Sequence, residues 1–385
     1  MLSDWGHVDP RSLRGAANLP DSIPLVGASR RAGSFAIAAG LLLLGAACAG
    51  GDNGSGAEPD VGQGATEPSP STGPDGALQD ATAAVPSASC GSSTADPVVE
   101  GERTLTVGDV QRRYLLTVPD AHDGDTPLAV VFDFHGLMEG AEIHARMTDY
   151  SSLAREEGFV VVFPHGTGEP VHWNVNPGAS ANADLAYFDA VVDAIGSTLC
   201  IDESRIYATG LSNGAMFTSL LLCERAEVLA AAAPVAGLSD IEDCAPSRSV
   251  PIVAFHGTDD PILLFNGGVD VSAIPGLDSA AGASTTTRPP AELDGEGYPA
   301  NVAAFAARNR CDPDPTDTEL TAEVIHRTFD CPDGADVEFY IVVGGGHSWP
   351  SSEFSQSIGD IVGHTTFDVD ATRDAWDFMS RFANA

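Results

Sequence analysis

A chain of 385 residues with 55 acidic side chains against 18 basic ones, all of them arginine, carries a net charge of −37. That balance excludes nucleic acid as a partner, because binding phosphate needs a basic surface, and it disfavours a polyanionic substrate. A hydrophobic fraction of 43% supports a sizeable core, and the length allows one large domain of about 250–300 residues plus extra segments.

Residues 1–29 are polar, contain Asp4, Asp9 and Asp21, and fit no part of a signal peptide. They read as an N-terminal extension upstream of the true start. Arg30-Arg31 and the apolar run Phe35–Ala47, ending in small residues before Cys48, then describe an export signal over 30–48. The run is too short to span a membrane comfortably. Its end is similar to the lipobox of bacterial lipoproteins, which makes Cys48 a lipidation candidate, although Gly45 stands where that pattern prefers leucine. The alternative is a plain cleaved signal with Cys48 discarded. Contact with a membrane is expected only through such an anchor. Residues 49–89 are Gly, Ser, Pro, Ala, Thr and acid, too poor in large apolar side chains to offset ordering entropy, and read as a disordered linker.

The folded domain is placed at 90–385. Arg112–Val118 is an early strand, and Leu128–Phe134 is a nearly continuous apolar run, the mark of a strand buried on both faces of a parallel sheet. A helix over 141–157, a strand over 159–163 and a helix over 184–199 follow. Arg205–Thr209 is a strand driving towards Ser212, and 213–225 is a helix. Strands at 229–235, 251–255 and 337–343 and a closing helix over 370–382 complete an α/β pattern. It implies a mainly parallel sheet with helices on both faces. Residues 269–299, rich in Gly, Ser, Thr and Pro, read as an insertion that could lie over a site.

Gly210-Leu211-Ser212-Asn213-Gly214 sits between the strand and the helix, where the serine of a nucleophile elbow belongs. The pentapeptide alone is not specific in so glycine-rich a chain; its partners decide. In α/β-hydrolases the acid and then the histidine follow on loops after later strands. Here one strand ends in His256-Gly257-Thr258-Asp259-Asp260-Pro261 and another in Gly344-Gly345-Gly346-His347. His347 would take the Ser212 proton, and a carboxylate, Asp259 or Asp260, would hold the imidazole in the right tautomer. Phe134-His135-Gly136-Leu137 ends the first buried strand, so the backbone N–H groups of Leu137 and Asn213 are the expected oxyanion hole. This chemistry calls for no cofactor and no metal ion. None of the seven cysteines forms a C-x-x-C pair, and the acid-rich 312–317 stretch lacks EF-hand spacing.

These residues, with Ala233-Pro234-Val235-Ala236-Gly237 and Ser348-Trp349-Pro350 after His347, resemble the extracellular poly(3-hydroxybutyrate) depolymerase and feruloyl esterase group of α/β-hydrolases. The resemblance covers about Cys90 to the end. It implies a serine esterase in which the acid is the residue before the proline, Asp260; the protein is expected to be exported, on either reading of Cys48, and monomeric. Leu264-Phe265 stands where the family often has Pro-Tyr, and Ser351 where it often has glycine. These departures bear on the acyl preference. No polymer-binding domain fits around the esterase domain, so soluble hydroxybutyrate oligomers or short esters are expected as substrates. Feruloyl or acetyl esters of plant polysaccharide are the alternative, and a non-catalytic surface binding lipoprotein is the alternative of another class.

Cys311 and Cys331 flank a segment before the histidine strand, and Cys223 and Cys244 flank the strand after the elbow. That leaves Cys90 with Cys200, although other connectivities are open to six cysteines. Trp349 and Trp173 are pocket candidates. His135 and His256 are expected to brace loops, and His165, His172 and His364 to lie in loops or on the surface. Asp133, inside a buried strand, is expected to be a hydrogen-bonded structural group.

Overall fold

In the computed structural model, which describes residues 83–92, 100–177, 182–270 and 290–384, the domain opens with an antiparallel hairpin of β1 (Gly101–Val107) and β2 (Val110–Thr117). The apolar runs then become β3 (Leu128–Phe134), β4 (Val160–Pro164), β5 (Ile201–Leu211), β6 (Ala231–Val235) and β7 (Ile252–Gly257). Two short strands, β8 (Thr316–Glu319) and β9 (Val324–Thr328), precede β10 (Val337–Val342). All ten form one sheet in the order β1-β2-β4-β3-β5-β6-β7-β10-β9-β8. The six strands from β4 to β10 run parallel, and the pairs at each edge are antiparallel.

Helices cover both faces, as the unbroken apolar strands require. Leu128, Val130, Phe132 and Phe134 of β3 point to one core, where they meet α3 (Ala183–Gly196), α4 (Asn213–Glu224) and α5 (Tyr298–Arg308). Ala129 and Val131 point to the other, against α1 (Gly140–Thr148), α2 (Tyr150–Glu157) and α8 (Ala371–Met379). Each large side chain buried there contributes about 1.5–3 kcal/mol. Two short helices, α6 (Glu353–Ser357) and α7 (Gly359–Val362), fill the stretch after His347. This is an α/β-hydrolase fold.

The single helix expected over 141–157 is two. Asp149 takes the left-handed region at φ 51°, ends α1, and accepts from Ser152 N–H and Oγ to start α2. The apolar spacing is satisfied on both sides of the break, so periodicity alone could not find it. The linker also ends sooner than expected. Val85 donates to Asp202, Pro86 bridges it, and the Ser87 hydroxyl donates to Leu199 O at 2.8 Å. Short polar groups, not apolar burial, hold this segment, and composition does not register them.

Three disulfides, Cys90–Cys200, Cys223–Cys244 and Cys311–Cys331, join the expected pairs. The first closes a separation of 110 residues and so constrains the unfolded chain most, by roughly 4–5 kcal/mol in the loop-entropy account. Among the described residues no helix is long and apolar enough to cross a membrane. The extension 1–29, the export signal 30–48 with Cys48, most of the linker, and 271–289 of the insertion lie outside the described residues.

Candidate active site

Parallel strands deliver their carboxyl ends to one edge of the sheet, and the predicted residues sit on four loops along that edge. β3 and β5 are neighbours, with Phe134 beside Gly210, so the Leu137 loop adjoins the Ser212 turn. β7 and β10 are neighbours, with Gly257 beside Val342, so the Asp260 and His347 loops adjoin each other.

Ser212 stands at φ 56°, ψ −117°, between the end of β5 and the start of α4. A non-glycine residue held there costs about 1–3 kcal/mol, which its surroundings must impose. Its N–H donates to Val235 O at 3.0 Å, and its carbonyl accepts from Met216 N–H at 2.9 Å. The hydroxyl makes no cap bond to the helix. Gly214 lets α4 press against the end of β3, since an added Cβ would overlap the Phe134 carbonyl. Gly214→Ala is therefore expected to destabilise the domain by about 1–3 kcal/mol and to lower esterase activity by moving the turn. Urea denaturation with parallel kinetics checks this; an unchanged midpoint would show that the contact is slack.

The loop after β3 is pinned at successive peptides. His135 is fully buried; its Nδ1 donates to Gly136 O at 2.7 Å, and its Nε2 accepts from Gly166 N–H at 2.8 Å. This bonding fixes the tautomer, and burial, the largest influence, drives the ring's pKa down to about 4. In a trans peptide the C=O and the following N–H point opposite ways, so holding Gly136 O aims the Leu137 N–H. Met138, at φ 71°, donates its own N–H to Val171 O at 2.9 Å. Among the described residues the Leu137 N–H donates to no protein acceptor. Asn213 is the first residue of α4, so its N–H has no acceptor within the helix. Its side chain grips the backbone of Trp173, accepting from N at 2.7 Å and donating to O at 3.2 Å.

Asp260 is fully buried at the end of the β7 loop. Oδ1 accepts from the N–H groups of Ile262 and Leu263, each at 2.8 Å, and Oδ2 lies 2.7 Å from His347 Nδ1. Asp259, the alternative acid, is exposed. Burial alone would raise the Asp260 carboxyl, but the His347 charge and the bonds from His256 and His347 hold it far below the usual carboxylate range. For His347, burial pushes the imidazolium down, yet the charge and bond of Asp260, with a smaller share from Glu139, leave it above the ordinary histidine value. Its backbone is fixed by a bond from His347 N to Val362 O at 2.6 Å.

Neither tryptophan opens onto solvent. Trp173 is 1% exposed, donates Nε1 to His135 O at 2.9 Å and stacks on Phe217. Trp349 is 1% exposed and donates Nε1 to Thr372, with its ring edge-on to His144 and Tyr150. Both brace the loops that carry the site. His256 also braces: Nε2 donates to Leu263 O at 2.9 Å, and the ring stacks on Tyr298. His165 does more than lie in a loop, since it accepts the Ala141 N–H at the start of α1. The acid-rich 312–317 stretch runs into β8, where Asp317 pairs with Arg327 of β9 at 2.7 Å.

Sequence reasoning missed Glu139 and His144. Glu139 Oε2 accepts the Gly136 N–H at 2.8 Å, and His144 Nε2 lies 2.7 Å from Asp133 Oδ1. The available signal was Asp133, for a charge inside a buried strand demands a partner.

Residues 113–285 match the family model described as Esterase PHB depolymerase. Feruloyl esterase B of Piromyces equi is 31% identical over 165 residues, 41% of this chain and 31% of that protein. Probable feruloyl esterase C of Aspergillus niger is 29% identical over 166 residues, 42% of this chain and 59% of that protein. Feruloyl esterase D of Neurospora crassa is 25% identical over 324 residues, 80% of this chain and 94% of that protein. The chain thus spans less than two thirds of the length of the first two relatives.

Proposed function

We propose that this chain, which belongs to the poly(3-hydroxybutyrate) depolymerase and feruloyl esterase group of α/β-hydrolases, is a serine esterase working through Ser212, His347 and Asp260. The observation that carries the reading is the 2.7 Å bond between buried Asp260 and His347 Nδ1, on the sheet edge where Ser212 is held at positive φ. With Nδ1–H given to Asp260, His347 Nε2 is left as the acceptor for the Ser212 proton. Ser212 Oγ then attacks the ester carbonyl. The resulting oxyanion takes hydrogen bonds from the N–H groups of Leu137 and Asn213, each such donor typically worth about 3 kcal/mol in the transition state. His347 returns the proton to the leaving alcohol, and a water activated by the same imidazole hydrolyses the acyl-enzyme.

Short acyl esters, including soluble hydroxybutyrate oligomers, are the substrates we favour. The names of the curated relatives support a second reading, a feruloyl or acetylxylan esterase. Rates on hydroxybutyrate trimer, methyl ferulate and acetylated xylan separate the two. We expect the trimer to be cleaved at least tenfold faster, by kcat/KM, than methyl ferulate. A preference for ferulate or xylan would reverse the assignment. We read the protein as exported, because three disulfides persist in oxidising compartments.

A further inference from the structure

A row of charged side chains that the triad does not use, Asp133 and His144 fully buried and Glu139 partly so, adjoins the Leu137 loop. Asp133, fully buried in β3, accepts from Thr148 Oγ1 at 2.7 Å and faces His144 Nε2 at 2.7 Å. The other ring nitrogen of His144, Nδ1, lies 3.2 Å from Glu139 Oε2. That oxygen also accepts the Gly136 N–H at 2.8 Å. A carboxylate thus flanks each nitrogen of one imidazole: Nε2 hydrogen-bonds Asp133, whereas Nδ1 faces Glu139 within ion-pair distance but without hydrogen-bond geometry, so a protonated ring is held there by charge. Burial opposes that charge, but Asp133 and Glu139 outweigh it and lift His144 to about 9. Gly136 admits the carboxylate because it has no side chain; a Cβ there would stand 3.0 Å from Glu139 Oε1.

We propose that Glu139 is a positioning residue for hydrolysis. Its carboxylate, ion-paired with His144, accepts the Gly136 N–H and so clamps the glycine whose carbonyl side carries the Leu137 N–H, and its negative charge also favours the imidazolium that His347 becomes. The inference rests on the serine esterase reading above. His135 holds the carbonyl of Gly136 and Glu139 holds its N–H, so both ends of this glycine are fixed. Repulsion between Glu139 and a developing oxyanion is offset by the His144 cation close to the same oxygen. Among the described residues the charged groups facing this cluster are few. His347 bonds Asp260 from the loop after β7 and feels the Glu139 charge from the loop after β3, while Glu139 faces His144 of α1 and feels the smaller influence of His135. His256 stands by Asp260, and His165 by His135.

The test measures kcat and KM across pH on p-nitrophenyl butyrate for wild type, Glu139→Gln, Glu139→Ala and Ser212→Ala, with circular dichroism confirming the fold. Glu139→Ala loses both clamp and charge, and kcat is expected to fall about tenfold or more with KM within about twofold. Glu139→Gln keeps an oxygen for the Gly136 N–H, so its plateau kcat should stay within about fivefold of wild type. Its acid limb should nevertheless move down by about 0.3 pH unit or more, because His347 has lost a negative neighbour. A purely structural role would not produce that shift. An unmoved acid limb in Glu139→Gln overturns the proposal, and this variant serves even if the alanine variant fails to fold. Wild-type kcat in a folded Glu139→Ala also overturns it. Either result alongside an inactive Ser212→Ala leaves the esterase reading standing; a fully active Ser212→Ala sinks that reading and the inference with it.

Discussion

Ser212→Ala is expected to reduce kcat/KM for a short p-nitrophenyl ester by roughly 10^4-fold to 10^6-fold while leaving the fold intact, as removal of the nucleophile does in other serine hydrolases. The expectation separates chemistry from stability. The Ser212 hydroxyl makes no cap bond to α4, and what holds the turn is backbone: Ser212 N–H to Val235 O, and Met216 N–H to Ser212 O. Alanine keeps all of this and meets the same positive-φ strain, so the unfolding midpoint should hardly change. The measurement is steady-state kinetics beside urea denaturation. Equal rates in the two proteins would dismiss Ser212 as the nucleophile, and no measurable rate in either would favour a non-catalytic binding protein. A lost rate with a lost fold would indicate instead that the hydroxyl holds the turn.

The parts of the molecule legible in the sequence share a physical cause. β3 and the end of β5 that leads into Ser212 are buried on both faces, so they read as apolar runs; β3 has the expected bounds, while β5 begins at Ile201, four residues early, through a polar stretch that hydrophobicity does not mark. The strand-end loops were legible because glycines mark them: Gly214 and Gly257 sit where an added Cβ would overlap a neighbouring backbone carbonyl. The edges were not legible. β8 is Thr316–Glu319, exposed throughout, and its pairing with β9 is made by backbone groups that any side chain would permit. Adjacency to a motif misled in the same way. Trp349 lies two residues from His347, yet its ring turns inward to Thr372 and Tyr150, a direction that spacing does not encode. Ser351 gives the reverse lesson. It stands at φ 65°, a conformation glycine adopts without strain, which accounts physically for glycine at this place in the family pattern.

Asp260→Asn should test the acid with a signature that rate alone does not give. Asparagine can still accept the Ile262 and Leu263 N–H groups that fix the Asp260 carboxylate. Its amide nitrogen would then face His347 Nδ1 and donate to it. The ring's remaining proton is forced onto Nε2, the atom that has to receive the Ser212 proton, and kcat should fall by roughly 10^3-fold to 10^4-fold. The pH profile fixes the sign. His347 must be neutral to act as a base, and its pKa lies above the ordinary histidine value, so wild-type kcat/KM should decline as pH falls through a limb above about 6.5. Burial favours the neutral ring, and Asp260 is the larger of the two groups opposing it. Losing the Asp260 charge therefore moves the limb to lower pH even as the plateau drops. Asp259→Asn, on the exposed side of the same loop, should keep kcat/KM within about threefold of wild type and leave the limb in place. The opposite pattern, a silent Asp260→Asn with a damaged Asp259→Asn, would transfer the role to Asp259. A lowered plateau with an unmoved limb would mean that Asp260 orients His347 without stabilising its cation.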